Sequence, residues 1–77
     1  MQEQYQAIGE TAGEIYRTLE KNGAMETASL QKEIGVPDSA LLNQSLGWLA
    51  REDKIEFRRR GKSWTISLMG VTAGRER

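Results

Sequence analysis

Arg58-Arg59-Arg60-Gly61-Lys62 places four cations within five residues, the strongest charge feature of the chain. Lys and Arg at this density neutralise phosphates, and the glycine among them permits a tight turn and a close approach. On a hairpin tip such a run is a positive knob that can straddle a phosphate backbone or enter a minor groove. The plainer alternative is a solvated tip whose charges keep a strand edge from aggregating. Arg58 is expected to share a face with Glu56 and to be partly neutralised by it, which leaves Arg59, Arg60 and Lys62 as candidate phosphate contacts. Upstream, Ser39, Ala40, Asn43, Gln44 and Gly47 fall on one face of a helical stretch. Asn and Gln pair bidentately with adenine, while Ser and Ala tolerate a thymine methyl. Arg51 closes that face as a further phosphate contact. No Lys or Arg precedes Arg51 there and Asp38 heads it, so the same face also reads as a smooth surface on which Ala40 and Gly47 admit another protein closely.

Other chemistry is sparsely represented. The 77 residues include no His and no Cys, so a catalytic triad, an imidazole acid/base, a thiolate metal site and a disulfide framework are all missing their parts. Glu52 and Asp53 are adjacent on a helix end and diverge, giving no acid/base pair. Gly9 to Gly13 lacks the preceding strand of a phosphate-binding loop. The chain reads as non-enzymatic, with no metal, no cofactor and no evident small-molecule substrate. Hydrophobic residues are 38% and charged residues 29%, a folded composition. One small domain is expected, near the lower limit for folding without staples. No apolar run approaches the roughly 20 residues of a membrane span, and the polar start Met1 to Gln6 is no signal peptide, so a reducing cytoplasm is the expected location.

The elements that must position these residues follow from periodicity. Ile8, Ala12, Ile15 and Leu19 form one helix stripe, predicted to start near Gln4 despite a capping-box pattern at Thr11-Ala12-Gly13-Glu14, and to stop at Asn22-Gly23. Ala24-Met25-Glu26 allows an edge strand or an extended linker. Thr27 is expected to cap a short helix through Ile34, with Leu30 and Ile34 inward; Gly35-Val36-Pro37 breaks it. Asp38 then caps a third helix running to about Glu52. Leu42, Ser45 and Leu49 centre its inward face, Leu41 and Leu46 flank it, and Trp48 lies at the margin. Beyond it the period becomes two: Ile55 and Phe57, then Trp64, Ile66 and Leu68, alternate with polar residues. The expected hairpin pairs Phe57 with Trp64 and Ile55 with Ile66 on one buried face. Residues 70–77 read as a disordered tail and residues 1–69 as the domain.

Helix, short strand, helix, turn, helix and β-hairpin make an α+β winged helix-turn-helix: a three-helix core, a short first strand and a C-terminal hairpin wing. The residues Ile8-Gly9-Glu10, Ala12-Gly13 and the block Leu46-Gly47-Trp48-Leu49-Ala50-Arg51-Glu52-Asp53-Lys54-Ile55-Glu56-Phe57 resemble a small prokaryotic winged helix-turn-helix family of uncharacterised proteins. The resemblance covers about residues 8 to 68 and implies the fold and a DNA-binding type of role. It assigns no functional residues, because the family's own function is unassigned.

Two functional readings follow. The preferred one is a small DNA-binding, transcription-regulator-like protein, with Ser39, Asn43 and Gln44 toward base edges and Arg51, Arg59, Arg60 and Lys62 on phosphates of duplex DNA. The alternative is a protein-protein interaction module. Tyr5, Gly9, Gly13 and Tyr16 line one side of the first helix, where two glycines cost about 1 kcal/mol each relative to alanine; a homodimer contact would explain them, and so would frayed first turns. Gly47 and Trp48 belong to the same partner surface, although Trp48 reads first as a cover for the seam between helix and wing. Trp64 reads as core. The zero net charge conceals an asymmetry: residues 1–33 hold three basic and six acidic groups, residues 34–77 eight basic and five acidic. A one-sided approach to a polyanion is thereby permitted, with weak binding by a lone copy.

Overall fold

The first helix, α1 (Gln2–Asn22), starts two residues before the expected point, with Glu3 in its first turn favouring the positive helix end. The computed structural model describes residues 2–69, so the expected tail, residues 70–77, lies outside the described residues. Ala12, Ile15 and Leu19 of the α1 stripe are buried and Ile8 is half-buried. Thr11 is buried inside the helix and starts nothing. Gly23, at φ +83°, ends α1, its N–H donating to the Leu19 carbonyl at 2.8 Å.

The short strand β1 (Met25–Glu26) leads directly into α2 (Thr27–Ile34). Here the expected cap is corrected. Glu26, held extended by its pairing with Thr65, occupies the cap position and makes no side-chain cap bond. Thr27 instead lies against the sheet and donates its hydroxyl to the Trp64 carbonyl at 3.3 Å. Gly35, at φ +71°, terminates α2 by donating its N–H to Gln31 and Lys32 carbonyls. The Gln31 side-chain amide donates to the Val36 carbonyl at 2.9 Å and pins the turn. Asp38 caps α3 (Ser39–Arg51) as expected, accepting from the Ala40 and Leu41 N–H groups. Leu42, Ser45, Leu46 and Leu49 form its buried face. The Ser45 hydroxyl, fully buried, finds the Leu41 carbonyl at 2.8 Å and the Ile8 carbonyl at 3.3 Å, so its proton is satisfied between α3 and α1.

The wing consists of β2 (Ile55–Arg60) and β3 (Ser63–Leu68), and the antiparallel sheet runs β1-β3-β2. Its register is a second correction. Ile55 pairs with Leu68, Phe57 with Ile66 and Arg59 with Trp64, two residues away from the expected pairs. The cause is the turn. Gly61 takes φ +60° as the first of two loop residues, the glycine-first geometry of a two-residue hairpin, so the strands stay paired as far as Arg60 and Ser63. A shift of two preserves the alternation, and the same residues keep the same face.

The core comprises Ala12, Ile15, Leu19, Leu30, Leu42, Leu46, Leu49, Ile55 and Ile66, with Met25, Ile34, Val36, Ala50 and Leu68 packed against it. Phe57 and Trp64 do not join it, contrary to expectation: they are 41% and 44% exposed. The six-residue strands run about 20 Å, and their buried positions are Ile55 and Ile66, so the base of the hairpin is covered and the tip projects beyond the core. Ile66→Ala should therefore cost about 2–5 kcal/mol and Phe57→Ala well under half of that, measured by urea unfolding. Equal losses would place Phe57 back in the core.

Candidate nucleic-acid interface

The capped start of α3 and its buried leucines leave Ser39, Ala40, Asn43, Gln44, Gly47 and Arg51 exposed on the opposite side. The wing stands beside that face. A groove of about 460 Å³ runs between them, lined by Thr27, Asn43, Leu46, Phe57 and Trp64. Asn43 is thus brought together with the wing. Gln44 is not: its side-chain carbonyl accepts from the Gln4 amide at 2.7 Å, which turns it toward α1. Ser39 sits one turn before Asn43, with the Gln31 amide 3.5 Å from its hydroxyl.

The wing-tip cations separate into distinct environments. Arg58 pairs with Glu56 at 3.4 Å, as expected, and this is the ion pair formed among the described residues. Arg60, opposite Ser63, shares the Arg58 face, away from the groove. Lys62, in the turn, borders a second hollow with Glu26, Thr27, Ala28, Ser63 and Trp64. Arg59 lies on the groove side. Its guanidinium carbon stands 5.2 Å from the centre of the Trp64 ring, and its Nε donates to the Gly61 carbonyl at 3.0 Å. Stacking and one hydrogen bond orient the planar fork while its terminal N–H groups stay available to an anion. Phe57 meets Trp64 edge to face, ring centres 6.2 Å apart at 84°. The aromatic wall of Phe57 and Trp64, with Thr27 and Leu46, was not among the sequence-derived site residues. The signal was present in Gly61-Lys62: taken as a two-residue turn, it puts Arg59 across from Trp64.

The residues proposed as a partner surface lie on α1 and α3 in different environments. Tyr5 is 64% exposed and Gly9 faces open space. Gly13 is occupied internally, the Arg17 guanidinium lying 3.4 Å from where a Cβ would stand. Tyr16 is half-buried, with the Lys54 ammonium 5.9 Å from its ring centre. Trp48 is 49% exposed and stands about 140° round the helix from Asn43, so it does not cover the seam with the wing.

The family described as "Winged helix-turn-helix domain (DUF2582)" matches residues 1–68. An uncharacterized protein of Methanocaldococcus jannaschii is 39% identical over 70 residues, covering 88% of this chain and 99% of the archaeal one. No solved structure matches the chain.

Gly47 has no heavy atom within 4 Å of a would-be Cβ and lies mid-helix, so the fold itself does not require it. Gly47→Ala should stabilise the protein by about 0.5–1 kcal/mol in thermal or urea unfolding. A loss of stability would reveal a packing role for this glycine.

Proposed function

The chain belongs to this winged helix-turn-helix family, and we propose that it binds duplex DNA as a small transcription-regulator-like protein without enzymatic activity. The observation that carries the reading is the shared groove: Asn43 on α3 and the oriented Arg59 on the wing open to the same side. Asn43, with Ser39 one turn earlier, offers polar groups to base edges. Arg51, Arg59, Arg60 and Lys62 supply phosphate contacts, Arg59 with the least reorganisation because it is already held. Gln44, tied to Gln4, contributes only if that bond opens. Four phosphate contacts on one copy support weak, salt-sensitive binding. No described helix is long and apolar enough to cross a membrane, and a cytoplasmic location suits a DNA-binding role.

A salt titration on a generic duplex tests this reading. Replacing Arg59, Arg60 and Lys62 by Ala should lower affinity at low salt by at least about 10-fold and flatten the logarithmic salt slope by about 2 to 3. An unchanged slope, or no binding by the intact protein at low salt, would overturn it.

Trp48 favours a second reading, a protein-interaction module. This exposed tryptophan sits beside a helix face with no cation from Ser39 to Ala50, and large aromatics at such places anchor partners. A second copy of the chain is the simplest partner, with Tyr5, Gly9 and Gly47 as further open surface. Sedimentation should then show concentration-dependent dimerisation weakened by Gly47→Arg. A monomer at every concentration, with or without that change, counts against it.

A further inference from the structure

We propose that the groove between α3 and the wing receives an unpaired nucleobase, so that the protein prefers duplex DNA carrying a single-stranded overhang to the same duplex with blunt ends. The inference rests on the DNA-binding reading above and specifies the form of DNA.

Two large aromatics remain exposed on the inner face of the wing although each has a buried neighbour on the same strand, Ile55 beside Phe57 and Ile66 beside Trp64. Together with Leu46 they make an apolar wall and floor, while Asn43 and Thr27 supply the polar groups. An apolar slot with a few placed donors and acceptors is what a flat heterocycle requires. Rings at 84° cannot both lie flat on one base; the base stacks on one ring and meets the edge of the other, a packing every nucleobase allows. The Asn43 amide, with one donor side and one acceptor side, faces the base edge.

The charges favour a nucleic-acid strand over an apolar peptide. Arg59 is fixed over Trp64, and Lys62 borders the hollow on the other side of the same residue. A strand passing Trp64 therefore finds a cation before and after the stacked base. Glu26 lines the Lys62 hollow beside that cation; Glu56 lies on the opposite face of the wing, engaged with Arg58. A paired base offers the grooves only its edges. Trp64 lies inside the angle between wing and α3, behind the Gly61-Lys62 tip, so it meets a base that has already left the stack.

Fluorescence anisotropy with three labelled probes tests the proposal: a blunt duplex, the same duplex with a short thymidine overhang, and the same overhang built of abasic residues. The thymidine overhang should bind about 5- to 100-fold more tightly than the blunt duplex, the size of one stacked base. The abasic overhang, with the same phosphates, should fall back to blunt affinity. Trp64→Ala and Phe57→Ala should bring the overhang-to-blunt ratio close to one, and Trp64→Phe, which keeps a ring, should retain part of it. Equal binding of all three probes overturns the base site and leaves the duplex reading standing. Equal binding of the thymidine and abasic overhangs, both above blunt, also overturns it, because phosphate alone would then account for the gain. If no probe binds at low salt, both readings fail and the groove falls to a protein partner.

Discussion

Burial of the inner face of β3 holds this small fold together. Ile66 is fully buried and pairs on one side with Met25 and on the other with Phe57. β3 also packs against α1 and α2, so a single strand joins the two-residue β1, the wing and the helices. A domain of this size buries a modest fraction of its surface and has little stability to spare. Its nine core residues come from α1, α2, α3, β2 and β3, and no subset of the elements closes a core alone. The bond from Thr27 to the Trp64 carbonyl and that from the Met69 N–H to the Lys54 carbonyl secure the two ends of β3 to its surroundings.

The same arrangement explains where the candidate groove lies. The core covers β3 around Ile66 and releases it from Trp64 outward. The distal wing is then free of the helices on its inner face, yet held at a fixed distance from α3 by the buried base. Asn43 and Trp64 consequently line one groove although they are far apart in the chain. Arg59 is the clearest product of this geometry. Its neighbours in sequence, Arg58 and Arg60, point to the other face, one of them already neutralised by Glu56. Arg59 alone has an indole beneath it and a carbonyl to fix its Nε. One oriented guanidinium differs physically from a run of four equivalent charges, because less conformational freedom is lost when it meets a phosphate.

Much of the architecture was legible in the residues. The α1 stripe, Gly23 and Gly35 as helix ends, Asp38 as a cap, the buried side of α3 and the Arg58–Glu56 pair all follow from local rules, and local rules act within a few residues. The family block Leu46 to Phe57 pointed to the same fold. The errors share one origin. Thr27 looked like a cap because its type suits one, until strand pairing placed it against Trp64. Phe57 and Trp64 looked like core because they alternate with polar residues, and alternation says which face a side chain takes without saying how far the core extends beneath it. Gln44 falls on the exposed face of α3 that its spacing predicts, while its bond to Gln4 joins residues far apart in the chain and has no local signal.

By itself, the sequence determined the order of elements, the sidedness of each and the charge gathered at the wing, since these depend on spacing and residue type along the chain. The tertiary structure decided the register of the hairpin, the exposure of its aromatics and the pairing that sets Arg59 against the Trp64 ring. The register depends on the turn falling at Gly61-Lys62, one residue later than the expected pairing needs, and the exposure on where a nine-residue core stops. A shift of two leaves every side chain on its face and every hydrophobic pattern intact, so only packing in three dimensions could distinguish the alternatives.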